Sequence, residues 1–401
     1  MTPHFIRQAQ IRLSGHVQRT PVFPSPRLSA LVGAELSVKH EYRQVTGSFK
    51  ERGAAHRLLL LGETERQRGV IAASAGNHAL GLAYHGQRLG IPVHVVMPRF
   101  APMVKVGQCR AYGADVQLVG ESFDEARALA ASLAEERGHT LVHGFDDPRV
   151  IEGQGTLGLE LCEDVPDLDV LIIPVGGGGL LAGVCMAVSD RPDIEIVGVE
   201  AEHAPTLTRA LEAGQPVTVP VTPGLADGLA VARIGEHCFQ AIRDRVSTVE
   251  LVRESEIASA IVQLMDVEKA VVEGAGAVGL AWLLRRPERV RGRRVGLVLS
   301  GGNIDLNVAS RVIERGLAAA QRLCKIHIDV SDHPGALATL LGVIARAEAN
   351  LIQVDHDRHF APADVTRVNV SLVLETRDGE HIERVRQALD VAGFRYRLAG
   401  A

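Results

Sequence analysis

The sequence has no Cys-x-x-Cys pair, no Cys/His cluster with metal-ligand spacing and no long basic run. Its five cysteines, Cys109, Cys162, Cys185, Cys238 and Cys324, stand singly. An odd, dispersed set argues against a disulfide framework and reads as reduced thiols in a cytoplasmic protein. No metal site is expected. The formal net charge is −5. Nucleic acid is held by clustered Lys and Arg, so this balance argues against it as a partner. The stretch MTPHFIRQAQIRLSG has no apolar core of the kind a signal peptide needs. Low-complexity tracts and solenoid repeats are also missing.

One uncharged stretch, Val170 to Ser189, is long enough to span a bilayer. Pro174 and four consecutive glycines break it in the middle. A buried strand, a glycine turn and a buried helix explain it better, so no membrane partner is expected.

What remains is a globular composition, 46% hydrophobic and 23% charged over 401 residues, enough for two or three domains. Short apolar runs alternate with helical patterns for about three hundred residues. Strands are expected at 36–41, 70–75, 93–98, 115–120, 140–145, 168–176, 194–200 and 295–302. Between them lie amphipathic runs such as SFDEARALAASLAEE, where Ser122 and Glu125 suggest a capping box. The alternation implies an α/β fold of mostly parallel sheet with ligands at the carboxyl ends of strands. After Arg322 the pattern becomes βαββαβ, a ferredoxin-like order over 324–401. The run ASRVIERGLAAAQR reads as a connecting helix.

Three small-residue loops each follow an apolar strand: SAGNH (74–78), GGGG (176–179) and SGGN (300–303). The tetraglycine opens a helix. Converging backbone N–H groups and the positive end of a helix make a phosphate cradle, whereas four glycines are entropically costly for a mere turn. Gly177-x-Gly179-x-x-Ala182, with Glu200 ending the next strand, also fits the dinucleotide fingerprint loosely, so an oxidoreductase stays an alternative. SAGNH suits a carboxylate or a ring oxygen; the competing reading is helix capping by Ser74 or Asn77. Ser300 either meets a ligand nitrogen or caps the next helix.

Lys50 in TGSFKERGA is, alone, an ordinary charge at a helix start. The three loops change its weight. A lysine amine condenses with aldehydes, and burial lowers its pKa toward reactivity. A lysine, a phosphate cradle and a serine for a ring nitrogen are the parts needed to hold pyridoxal phosphate.

The set TGSFKERGA, ASAGNHALG, PVGGGGLLAG, GLADGLAV, EGAGAVGL and LSGGNID, in this order, resembles the threonine dehydratases (threonine ammonia-lyases). These belong to the tryptophan-synthase-β-like class of pyridoxal-phosphate enzymes. The resemblance covers about residues 5–320. It implies fold type II: two open, mostly parallel three-layer α/β(α) subdomains. The catalytic domain would be 1–322, with a small subdomain, about 53–152, inserted in the large one. It implies that Lys50 carries the cofactor aldehyde and then acts as the base at Cα. Phe49 packs beside the ring, Gly176, Gly177, Gly178 and Gly179 hold the phosphate, Asn77 meets the ring hydroxyl and Ser300 the ring nitrogen. Ser74, Ala75, Gly76, Asn77 and His78 receive the substrate carboxylate. Serine racemases of the class carry a serine where this chain has Ala75, and a Glu…Ala…Asp cation pattern where it has Glu200, Ala204 and Thr206. The first departure favours lyase chemistry over racemisation; the second argues against a bound metal and leaves Glu200 structural or a weak cation contact. Glu273 either approaches the cofactor or caps a helix.

The segment VSDHPGALATLLGVIARAEANL resembles an ACT domain, a regulatory module that binds amino acids. Asp332, His333, Pro334, Gly335, Asn350 and Leu351 would then form an effector site for isoleucine or valine, facing a neighbouring domain. The alternative is an oligomerisation module without ligand; a homo-oligomer, dimer or tetramer, is expected either way. The expected activity is elimination of water from L-threonine to 2-oxobutyrate and ammonia, with L-serine as a second substrate. A 3-hydroxyaspartate lyase, a serine racemase-like enzyme and a decayed amino-acid sensor remain alternatives.

Overall fold

The computed structural model describes residues 3–357 and 366–399. It divides into two compact units, Met1–Asp305 and Leu306–Ala401. The helix Leu306–Ala319, a connector by its sequence, is grouped with the second unit.

In the first unit, β1 (Val22–Pro24) and β2 (Glu35–His40) open a sheet that the chain then leaves. A second sheet follows from β3 (Val70–Ala73), β4 (Val93–Met97), β5 (Asp115–Leu118) and β6 (Thr140–Leu141). The chain returns to the first sheet with β7 (Val170–Pro174), β8 (Glu195–Ala201), β9 (Thr248–Val252) and β10 (Arg294–Leu299). The first sheet runs β1-β2-β10-β7-β8-β9 and is parallel except for β1; the second runs β5-β4-β3-β6 and is wholly parallel. Parallel strands with helices between them are what the alternation implies; the nesting of the second sheet between β2 and β7 is what the family resemblance implies.

The uncharged stretch is core. Every residue of β7 and of the helix Gly179–Ala187 is buried, with the glycine turn between them. Continuous apolar runs of this kind are what central parallel strands need, since both faces are covered. Among the described residues no helix is long and apolar enough to cross a membrane.

Two expected features differ, and one strand has no expected counterpart. β6 stops at Leu141 although TLVHGF reads as strand to residue 145. There His143 turns the chain, its Nδ1 accepting the Asp146 N–H at 2.9 Å. β9 has no counterpart among the expected strands because TVELV is an edge strand that leaves most of its residues only partly covered. Ser122 does cap the helix Phe123–Arg137, accepting from the Glu125 N–H at 3.2 Å, but the Glu125 carboxylate reaches back to the Glu121 N–H instead.

The second unit has β11 (Leu323–Ser331), β12 (Asn350–Asp357), β13 (Arg367–Glu375) and β14 (Arg395–Leu398) in the antiparallel order β12-β13-β11-β14. Helices Ala336–Arg346 and Gly379–Val391 complete the ferredoxin-like βαββαβ order.

Candidate active site

Lys50 begins the helix Lys50–Leu59. The residues before it are stitched to the end of β10. Phe49 donates its N–H to Ser300 O at 3.0 Å, Ser48 bridges Gly301, and Gly302 donates to Gly47 O at 2.9 Å. Loops from opposite ends of the first unit's sequence are thereby neighbours. Gly47 is needed for that turn, since its φ is +78°. Behind the helix start, the wholly buried Arg52 guanidinium bonds Glu41 and Glu160 at 2.7–2.8 Å, and Lys39 donates to Glu160 at 2.6 Å. These ion pairs hold the first turn to β2 and to the helix Pro148–Asp164.

The Lys50 amine points away from that network. Nζ donates to Gly144 O at 2.7 Å and lies 5.3 Å from the Phe49 ring centroid. Burial drives its pKa down to about 8, which Cys238 and Glu273 oppose without reversing. The main-chain turn after β6 therefore supplies the lysine's partner. The Gly in HGFDDP signals that turn, within a run that otherwise reads as strand.

Gly176–Gly179 lead from β7 into the helix Gly179–Ala187. Gly178 has φ +92°. A Cβ on Gly177 would overlap the Phe145 ring, and one on Gly176 would stand 2.9 Å from Leu229 Cα. The loop is thus a bare backbone cradle at a helix N-terminus, with Phe145 laid across it. That donor set matches a phosphate monoester.

Ser74 Oγ accepts the Gly76 N–H at 3.3 Å, which curls the loop ahead of the helix Asn77–Leu89. Asn77 Nδ2 donates to Glu273 Oε1 at 2.7 Å, and Asn77 Oδ1 accepts from Asn303 Nδ2 at 2.8 Å. His78 is buried, with Nε2 3.2 Å from Val142 O. Burial, then the Lys50 charge, lowers its pKa to about 3. The imidazole is neutral at physiological pH, so the nitrogen facing a carbonyl must carry the hydrogen. Its Nδ1 is then an acceptor, and it has no partner. What this loop offers an anion is the free N–H groups of the first helical turn, not the His78 ring. Ala75 presents a methyl group.

Glu273 occupies the N-cap position of the helix Gly274–Arg285 but makes no side-chain cap bond. It turns to Asn77 instead, so of its two expected alternatives the structure shows the approach to the site. Burial, then Asp227, raises its pKa to about 7. Asp227 itself pairs with Lys105 at 3.4 Å on the more open side. Ser300 is buried directly after β10. Lys50, Phe49, the glycine loop, Asn77 and Ser300 thus gather at the carboxyl ends of β3, β7 and β10. Glu200 is spent elsewhere. Its carboxylate accepts from Thr206 Oγ1, Leu207 N, Thr208 N and Thr208 Oγ1 at 2.7–3.1 Å and anchors the helix Thr206–Ala213.

In the second unit the six tail residues do not converge. Asp332, His333, Pro334 and Gly335 follow Ser331, which pairs with Arg367. Asn350 and Leu351 pair with Glu375 and Leu374, across from Leu323 and Cys324 at the other end of β11. At roughly 3.3 Å per residue, a nine-residue strand separates the two groups.

The model of the family described as "Pyridoxal-phosphate dependent enzyme" matches residues 13–301. The chain is 44% identical over 396 residues to "L-threonine ammonia-lyase" of Thermotoga maritima, covering 98% of each chain. Among solved structures, the processed form of threonine deaminase isoform 2 from Solanum lycopersicum is 36% identical, with a TM-score of 0.73 over 77% of this chain and 92% of that one. Maize serine racemase is 34% identical, with a TM-score of 0.73 over 80% of this chain and 99% of that one. With these likenesses and the assembled lysine, glycine cradle and Ser300, the chain belongs to the pyridoxal-phosphate dependent enzyme family.

Proposed function

We propose that the protein is an L-threonine ammonia-lyase that also accepts L-serine. The observation that carries the reading is Lys50: an enclosed amine with a pKa near 8, bonded to Gly144 O next to Phe145, whose ring lies against the glycine cradle, in a chain 44% identical over 98% of its length to a threonine ammonia-lyase. The residues fit pyridoxal phosphate. Gly176–Gly179 would hold its phosphate, Asn77 its ring hydroxyl, Ser300 its ring nitrogen, and Phe49 its ring face. Bound there, the cofactor supplies the electron sink that makes the substrate Cα proton removable.

The chain's own residues do the rest. Lys50 would hold the cofactor through Nζ and, once released, take the proton from Cα; an amine with a pKa near 8 is a competent base at neutral pH. Backbone N–H groups of the Ser74–His78 loop orient the substrate carboxylate. A serine hydroxyl cannot keep a ring nitrogen protonated as a carboxylate would. That weaker sink suits a reaction in which the charge at Cα is discharged at once by loss of the β-hydroxyl. Ala75 has no proton to deliver to the opposite face, which favours elimination over racemisation. The net products are 2-oxobutyrate and ammonia from threonine, or pyruvate and ammonia from serine. One methyl group separates the two substrates, worth only about 1–3 kcal/mol of discrimination.

Assays of 2-oxobutyrate, pyruvate and oxaloacetate from threonine, serine and 3-hydroxyaspartate test the assignment; oxaloacetate as the main product would replace it with a 3-hydroxyaspartate lyase. The second unit is proposed as an isoleucine-binding module. Because the 332–335 loop and Asn350–Leu351 lie at opposite ends of one sheet, one ligand could meet both only where two copies adjoin. Isoleucine that changes neither rate, cooperativity nor melting temperature would remove this part.

A further inference from the structure

Asn77 is gripped from two sides, and the grip has a direction. Asn303 Nδ2 donates to Thr46 O at 2.6 Å and to Asn77 Oδ1 at 2.8 Å. A main-chain carbonyl only accepts, so Thr46 fixes which end of the Asn303 amide is nitrogen. That nitrogen in turn requires the Asn77 oxygen on its side. The Asn77 nitrogen is left facing Glu273, to which it donates at 2.7 Å. Two hydrogens sit on that nitrogen; Glu273 takes one and the other is available to a ligand.

The surrounding backbone is shaped for these two partners. A Cβ on Gly47 would stand 2.5 Å from Asn303 Oδ1, and one on Gly301 would overlap the Glu273 carboxylate. Gly47 belongs to the loop that carries Lys50, and Gly301 to the loop that carries Ser300. Three loops from distant parts of the sequence are therefore locked to one amide. This uses the reading of Asn77 as the contact for the cofactor ring hydroxyl. On that basis, we propose that Asn303 and Glu273 are positioning residues that aim the Asn77 amide at the cofactor ring.

Glu273 also makes the aim sensitive to pH. The groups that act on it are Asp227, Lys105, Asn77 and Lys50. Burial and Asp227 raise it to about 7, while Lys105, Asn77 and Lys50 pull it down. Ionised, the carboxylate only accepts and holds the Asn77 nitrogen. Protonated, it gains a hydrogen of its own and holds that nitrogen less firmly.

The test uses the holoenzyme, following the visible absorption of the lysine-linked cofactor across neutral pH and the cofactor dissociation constant. In the wild type the spectrum should shift near neutral pH, and Glu273→Gln should abolish that shift while keeping the cofactor. Asn303→Asp places an acceptor against both Thr46 O and Asn77 Oδ1, and should weaken cofactor binding about 10-fold or more. Wild-type spectra and pH dependence in Glu273→Gln would overturn the proposal, as would wild-type cofactor affinity in a folded Asn303→Asp. Should Asn303→Asp fail to fold, the nearly isosteric Glu273→Gln decides alone. A visible band missing from the wild type, or surviving in Lys50→Ala, would instead overturn the cofactor assignment beneath it.

Discussion

Lys50 and Arg52 sit two residues apart at the start of one helix, and their charges meet opposite fates. Arg52 is buried, yet four bonds to Glu41 and Glu160 outweigh the burial and hold its pKa above the usual arginine value. Lys50 has a carbonyl as its bonded partner, and there burial wins. Lys39 lies between the two cases: burial keeps it below the ordinary lysine value although Glu160 pairs with it. Pairing, more than burial, therefore separates a charge that holds the fold from an amine that can react. The paired charges lie behind the helix, toward β2 and the helix Pro148–Asp164. The amine without an ion pair faces the strand ends where ligands bind.

Removing each member tests that division. The largest effect is expected for Lys50→Ala: a loss of about 1,000-fold or more in kcat/KM, together with loss of the visible cofactor band. Its companion Lys50→Met should have the opposite sign in a stability assay of the cofactor-free chain. The native pKa is depressed from 10.5 to about 8, so stability from the neutral amine is present above 10.5 and lost as pH falls through 8. At neutral pH the wild type holds a buried cation that makes no ion pair among the described residues, and Lys50→Met should be more stable by on the order of 1–3 kcal/mol. An unchanged or lower melting temperature at neutral pH would mean that the amine is solvated.

Arg52→Met should do the reverse. It leaves Glu41 and Glu160 buried without their cation, at a cost of about 3–5 kcal/mol in urea unfolding. Arg52→Met combined with Glu41→Gln should recover part of that loss. Equal destabilisation in the single and double variants would show that packing, not charge pairing, explains the site.

Glu273 belongs with Lys50 rather than Arg52. Its native pKa of about 7 exceeds the ordinary 4.5, so its contribution is present below pH 4.5 and lost as pH rises through 7. Glu273→Gln should therefore stabilise the cofactor-free chain above pH 7, by on the order of 2–3 kcal/mol, and leave it nearly unchanged near pH 4.5. Melting curves at the two pH values read this directly.

Much of this site is legible in the amino-acid sequence. Lys50, the tetraglycine, Asn77 and Ser300 stand in small-residue loops, most of them directly after a continuous apolar run, and buried parallel strands announce themselves that way. The parts that escape such a reading are held by side chains and turns. Gly144, which takes the lysine's hydrogen bond, lies inside a run that looks like strand; the His143 side chain turns the chain there. Asn303 lies inside a recognisable loop, but its partners Thr46 and Asn77 are distant in sequence and close only after three loops fold together. In the second unit the βαββαβ order is plain from alternation. The register that separates the 332–335 loop from Asn350 is not, because it depends on strand pairing.

The smallest effect is expected at Ala75. It is partly buried, packs on the core of the second sheet, and lies between Ser74 and Gly76, which already bond each other. Ala75→Ser adds one oxygen to this loop, so the fold and the elimination rate should change by no more than a few-fold. What it adds chemically is a proton carrier in the loop that holds Asn77. If the absence of that carrier separates lyase from racemase behaviour, Ala75→Ser should form D-serine from L-serine at a minor fraction of the elimination rate, while the wild type forms none. Chiral separation of the products decides. Equal D-serine from both proteins would show that the second face is served by another group, and Lys50 would then not be the sole base in the site.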